Sequence, residues 1–192
     1  MKKASIVGLF GRQLGLETLK GILNDGLFEL KAVVTHYYEV NMEDVRPLFK
    51  EFVKICEENS IPLIVVHKNQ ENLKILENLD FDFIVSNCYK YIIPNKFLGF
   101  AKVDSLNMHR SLLPKYKGLK PLRKALENKD KEAGTTLHRM VAEVDSGDII
   151  DQYKIPVEEG DTEQSLFEKL YPTQYHLLKR GLLKILEKNG EK

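Results

Sequence analysis

The stretch Ala4-Ser5-Ile6-Val7-Gly8-Leu9-Phe10-Gly11-Arg12-Gln13-Leu14-Gly15 decides the class of fold. Residues 4–10 are almost wholly apolar and do not alternate, which is the pattern of a strand buried on both faces. Glycines at 8, 11 and 15 then form a turn, and Leu16, Leu19, Ile22 and Leu23 recur at helical spacing. A strand buried on both faces needs helices above and below it. The same alternation continues along the chain. Residues 30–36 read as a second strand, Pro47 opens a helix that runs to about Glu58, and residues 62–67 form a third strand. Residues 69–79 have a helical pattern, and 81–86 form a fourth strand. With right-handed crossovers this is an α/β, Rossmann-like, doubly wound and mostly parallel sheet. Ligands in such sheets sit beyond the carboxyl ends of the strands. Residues 8–15, 36–38, 87–91 and 107–109 are therefore searched first.

The second half changes character. Residues 101–108 read as a fifth strand, and Pro121 starts a short helix to Leu126. Residues 134–143 and 149–157 form an antiparallel hairpin around Val144-Asp145-Ser146-Gly147-Asp148. Asp161 caps the last helical region, with Gln164 three residues on, and Pro172 kinks it before residues 175–186 continue.

Of the 192 residues, 43% are apolar and 30% charged, which suits a globular core and one domain spanning residues 1–192. Twenty-nine basic residues balance 28 acidic ones, leaving a net charge of +1. Counterion release on a polyanion needs clustered positive charge, so the balance argues against a nucleic-acid partner. No apolar run approaches the ~20 residues of a membrane span. The opening Met-Lys-Lys is too short for a signal peptide, so the expected compartment is cytoplasmic. Cys56 and Cys88 make neither a disulfide framework nor a zinc site by themselves. Cys56 shares an apolar stripe with Phe49, Phe52 and Val53 and reads as a core thiol. Cys88 follows a strand but has no neighbouring basic group to activate it.

The turn at 8–15 matches neither G-x-G-x-x-G nor a Walker A pattern, and His36 stands where a ribose-binding acid would end the second strand. Gly11, Arg12 and Gln13 are candidates for holding an anionic substrate, beside the plainer reading of a packing turn. His36, Tyr37 and Tyr38 stand where an acceptor pocket would be lined, or are ordinary aromatics at a strand end.

The richest segment is Leu106-Asn107-Met108-His109-Arg110-Ser111-Leu112-Leu113-Pro114-Lys115-Tyr116-Lys117-Gly118. Asn107 and His109 are two apart on a strand, so they share a face. An amide donor beside an imidazole of near-neutral pKa is an acid/base arrangement. A carboxylate would orient the ring and raise its basicity, and Asp145 sits on a loop that a mixed sheet brings close. Alone, the pair also fits a structural hydrogen bond. His138 shares a strand face with Thr136 and Met140 and reads as structural.

The pattern Asn-x-His-x-Ser-Leu-Leu-Pro-x-Tyr-x-Gly at 107–118 resembles the signature of the folate-dependent formyltransferases. These include glycinamide ribonucleotide formyltransferase, the amino-terminal domain of methionyl-tRNA formyltransferase, and sugar N-formyltransferases. Ala125–His138, Asp145-Ser146-Gly147-Asp148-Ile149-Ile150, Gly160-Asp161-Thr162 and Tyr89-Lys90-Tyr91-Ile92-Ile93-Pro94 are similar to that family's segments in the same order. The resemblance covers residues 82–170; before that it rests on strand–helix order.

The resemblance implies a formyltransferase fold and catalytic Asn107, His109 and Asp145. It implies 10-formyltetrahydrofolate as formyl donor, held between residues 89–94 (Tyr89, Tyr91, Ile92, Ile93), Leu112 and Pro114, and the 141–145 loop (Val141, Val144). Asn107 and protonated His109 would donate hydrogen bonds to the oxyanion, and His109 would move the proton from amine to leaving nitrogen. That chemistry requires no metal. Arg110 departs from the small residue or proline usual in the family. It is a candidate for pairing with a substrate phosphate or the folate glutamate tail. Residues 11–14 differ from the Gly-Ser-Asn turn of the glycinamide ribonucleotide enzymes. The expected acceptor is a small nucleotide-linked or phosphorylated amine, foremost an amino-sugar nucleotide. Glycinamide ribonucleotide, hydrolysis of the formyl-folate, and a non-catalytic folate-binding scaffold are alternatives. The end of the chain after the last helix weighs against tRNA, and the apolar last helix suggests a homodimer.

Overall fold

The computed structural model describes residues 3–36, 46–67 and 70–190. Tyr37, Tyr38 and Asn69 lie outside the described residues. The chain forms two compact units, Met1–Ser105 and Leu106–Lys192. Among the described residues no helix is long and apolar enough to cross a membrane.

The first unit contains β1 (Ser5–Phe10), α1 (Arg12–Asp25), β2 (Glu29–His36), α2 (Arg46–Glu58), β3 (Leu63–Val66), β4 (Phe83–Asn87) and α3 (Asn95–Leu98). Its strands run in the order β3-β2-β1-β4, all parallel, as the doubly wound reading expects. Every residue of β1 and β4 is buried. Phe10, Phe52, Phe81 and Phe83 fill the core, each contributing about 1.5–3 kcal/mol by its burial. Cys56 lies in this core, and burial pushes its thiol up to about 11. Ser5 and Asp82 tie the starts of β1 and β4 through the Ser5 N–H and hydroxyl, which donate to Asp82 Oδ2 at 2.7 and 2.8 Å. The helical pattern expected at 69–79 is a 3₁₀ helix, Glu71–Asn78. Leu73 and Leu76 are its buried residues, three apart, which suits a three-residue turn.

The second unit holds β5 (Asp104–His109) from Leu106 onward, α4 (Pro121–Glu127), β6 (Glu132–Arg139), β7 (Ile149–Pro156), α5 (Glu163–Lys169) and α6 (Gln174–Lys188). β6 pairs antiparallel with both β5 and β7, so the expected carboxy-terminal hairpin is present. β6 ends at Arg139, four residues early. Arg139 N–H donates to Asp148 O at 2.9 Å and closes the 140–148 loop there. Thr162, not Asp161, caps α5, exchanging hydrogen bonds with Ser165. Asp161 instead accepts from Lys169 and the Glu158 N–H. A 3₁₀ turn at Tyr171–Thr173 separates α5 from α6, where Pro172 predicted a kink. Leu177, Leu178, Leu182 and Ile185 of α6 are buried, and a Cβ on Gly181 would stand 2.1 Å from Leu137 Cδ2. The apolar face expected to meet a second subunit is thus spent on this unit's own sheet.

Candidate active site

The antiparallel register of β5 and β6 sets Asn107 opposite His138 and His109 opposite Thr136. One sheet face therefore carries all four side chains at neighbouring positions. The loop after β6 delivers Asp145, which is buried and has φ 53°. Aspartate tolerates this left-handed conformation better than most residues. Asp145 Oδ2 accepts from Gly118 N–H at 2.9 Å and lies 3.3 Å from His109 Nδ1. Its Oδ1 lies 3.4 Å from both Asn107 Nδ2 and His138 Nε2. The structure thus brings Asn107, His109 and Asp145 together, as expected, and adds His138 to them.

The proton inventory follows from the fixed acceptors. Arg139 O, 2.9 Å from His138 Nδ1, takes that nitrogen's proton, so Nε2 accepts from Asn107 Nδ2 at 3.1 Å. Asn107 spends its second N–H on Asp145. To donate to a substrate oxygen, the amide gives up its long 3.4 Å bond to Asp145. His109 Nε2–H donates to Tyr116 O at 2.9 Å, which leaves Nδ1 facing the carboxylate. Burial pulls His109 below its ordinary value, while the Tyr116 carbonyl and the Asp145 charge resist. Burial works in the opposite direction on Asp145. The His138 and His109 rings beside it and the Gly118 N–H outweigh it and hold the carboxyl below its usual range. The pair is balanced so that a proton arriving on Nδ1 meets a negative charge already in place.

The loop that carries the Tyr116 carbonyl is bolted to the sheet through Thr136. Thr136 Oγ1 donates to Ser111 O at 2.6 Å and accepts from Leu113 N–H at 3.0 Å and Gln152 Nε2 at 2.8 Å. Gly134 lets the loop lie this close, since a Cβ there would meet Leu112 Cδ2 at 2.6 Å and Tyr153 O at 2.1 Å. Tyr116 has φ 58°, a conformation that costs a non-glycine residue about 1–3 kcal/mol. Its hydroxyl donates to Asp130 Oδ2 at 2.9 Å and anchors the residue. Sequence patterns hid His138, Thr136 and the Tyr116 carbonyl. The alternation of Thr136 and His138 was visible, but its meaning depends on pairing with β5.

The other expected ligand contacts divide. Val141 and Val144 are about half exposed on the Asp145 loop. Pro114 is exposed and Leu112 partly buried. In the first unit Tyr89, Tyr91 and His36 form a mutual edge-to-face cluster with centroids 5.9–6.0 Å apart. Tyr89 donates to Gln70 Oε1 at 3.0 Å, and Gln70 Nε2 donates to Ile92 O at 2.9 Å. Burial pushes the Tyr89 hydroxyl up. Ile92 is exposed, whereas Ile93 is turned into the core. Of the anion candidates, Gly11 N–H is taken by Asn87 O at 3.0 Å and the Gln13 amide by Glu17 at 2.7 Å. Arg12 is exposed. Arg110 lies over the Phe167 ring at 5.6 Å.

The family profile described as formyl transferase matches residues 19–182. The chain belongs to the formyl transferase family. A methionyl-tRNA formyltransferase of Lactobacillus delbrueckii subsp. bulgaricus is 34% identical over 94% of this chain and 58% of its own length. The bifunctional polymyxin resistance protein ArnA of Wigglesworthia glossinidia brevipalpis is 38% identical over 83% of this chain and 24% of its own. The chain thus spans little more than half of the first relative and a quarter of the second. Among solved structures, a phosphoribosylglycinamide formyltransferase from Anaplasma phagocytophilum superposes with TM-score 0.76 at 27% identity, covering 94% of this chain and 86% of that one. A sugar N-formyltransferase from Shewanella has TM-score 0.70 at 20% identity, over 97% and 71% of the two chains, and shares the fold.

Proposed function

We propose that this chain, working in the cytosol as a single catalytic domain, moves a formyl group from 10-formyltetrahydrofolate to the primary amine of an amino-sugar nucleotide. The observation that carries the reading is the convergence of Asn107, His109 and Asp145 within hydrogen-bond reach, in a chain of the formyl transferase family. The exposed apolar side chains of Val141 and Val144 beside a charged Asp145 fit a planar ring with polar edges. These loop residues would hold the folate. When bound, it supplies the formyl carbon.

The protein's own part is proton handling and orientation. His109 keeps its Nε2 proton on Tyr116 O and offers Nδ1 as a base. A proton taken there is stabilised by Asp145 Oδ2 at 3.3 Å. Asn107 moves the N–H that makes the long 3.4 Å bond to Asp145 onto the formyl oxygen, where negative charge develops. The near-neutral net charge supports a small acceptor over a polyanion. A second reading, an aminoacyl-tRNA acceptor, is favoured by the 34% identity to a methionyl-tRNA formyltransferase.

The test incubates the chain with 10-formyltetrahydrofolate and amino-sugar nucleotides, glycinamide ribonucleotide, methionyl-tRNA or no acceptor, reading formamide by mass. The amino-sugar arm should gain a formyl group. His109→Ala and Asp145→Asn should each lower kcat by about 10²–10⁴-fold while folate affinity holds. Formylation in the tRNA arm alone selects the second reading. Formate without any acceptor marks a hydrolase, and folate binding without turnover marks a scaffold.

A further inference from the structure

A cavity of about 620 Å³ opens in the second unit beside the loop that follows His109. Its apolar wall includes Leu112, Pro114, Pro121, Leu122 and Ala125. Arg110, Lys115, Lys131 and Lys154 face it with positive charge, and Asp130 and Glu132 with negative charge. Both carboxylates are already matched. Asp130 takes Lys115 at 3.3 Å and the Tyr116 hydroxyl at 2.9 Å, and Glu132 takes Lys154 at 2.9 Å. Among the described residues Arg110 has only the Phe167 ring against it and Lys131 has no ion pair. The cavity therefore has two uncommitted cations, no uncommitted anion, and an apolar body. Its volume falls within the roughly 300–1,000 Å³ of small-molecule sites.

From this combination we infer that the cavity is a binding site for a phosphorylated small molecule of mononucleotide size. Arg110 and Lys131 hold the phosphate, and the base or sugar lies against Pro121, Leu122 and Pro114. Arginine suits a phosphate because its planar fork gives paired charge-assisted hydrogen bonds. Occupancy is transmitted to the chemistry by a short path. Tyr116 lines the cavity and holds His109 Nε2 with its carbonyl. Arg110 follows His109 directly in the chain. A ligand that moves either residue moves the catalytic imidazole.

The test is calorimetric titration of the full chain, without folate, using uridine 5′-monophosphate, inorganic phosphate and uridine as probes. The mononucleotide should bind more tightly than either fragment. Arg110→Ala and the surface change Lys131→Glu should each weaken it by about tenfold or more, the usual weight of a hydrogen bond to a charged group. In imidazole NMR spectra, the mononucleotide should shift the His109 resonances of the native chain, and not those of Lys131→Glu at the same concentration. Equal affinity in native chain and variants overturns the site. Phosphate or uridine binding as well as the nucleotide overturns the two-part ligand, and unmoved His109 resonances overturn the coupling. No formyl transfer enters these measurements, so failure of the site and failure of the formyltransferase reading are separate results.

Discussion

Acidification below neutrality should cost this fold stability through His36. The ring is buried at the carboxyl end of β2, between Gly11, Tyr89 and Tyr91. Burial first, then the charges of Lys90 and Arg12, lower its pKa from 6.5 to about 4. The unfolded chain binds a proton on this residue below pH 6.5, and the folded chain does not until about pH 4. Stability from keeping His36 neutral is thus full above pH 6.5 and falls as the pH drops through the interval. At 1.36 kcal/mol per pH unit, the loss by pH 4.5 is about 2.5 kcal/mol, against a typical total of 5–15 kcal/mol. Urea unfolding of native chain and His36→Asn at pH 7 and pH 4.5 isolates this group from the carboxylates common to both. The variant starts less stable, because it loses aromatic contacts and packing, but the gap should narrow by about 2.5 kcal/mol at the lower pH. A gap that stays constant, or widens, would show that His36 is protonated in the folded chain and that the reasoning fails.

Three further expectations follow from the candidate site. The acid limb of kcat/KM should lie below the ordinary histidine range, because burial favours neutral His109 and the rate rises as that form populates; a limb centred above pH 7 would contradict this. Thr136→Val keeps the shape but strands Ser111 O and Leu113 N–H, so unfolding free energy should fall by about 2–4 kcal/mol and kcat should drop with it; native-like stability in urea would remove Thr136 as the loop's anchor. Gly147→Ala places a Cβ 2.0 Å from Arg139 O, so the Asp145 loop must shift at a cost of about 1–3 kcal/mol. Unchanged melting and turnover in that variant would show that the loop has more room than the geometry gives it.

The local pattern of the chain was enough to determine the α/β order. Apolar runs without alternation at residues 6–10 and 83–85 can be satisfied only by covering both faces, and helical spacing between strands supplies the cover. It also placed Asn107 and His109 on one face, since side chains on a strand alternate. What spacing does not contain is register. That His138 stands opposite Asn107, and Thr136 opposite His109, depends on which residues of two strands pair. A slip of one position would turn both away. Nor does local sequence encode the left-handed turns at Tyr116 and Asp145, which contacts distant in sequence hold in place: Asp130 for one, and Gly118 and the histidines for the other. Ile93 makes the same point from the opposite side. The motif marks it as a ligand contact, and core packing takes it inward. Secondary structure here is a local balance of burial and backbone preference, whereas the site is a product of long-range pairing, whose free energy no single segment carries.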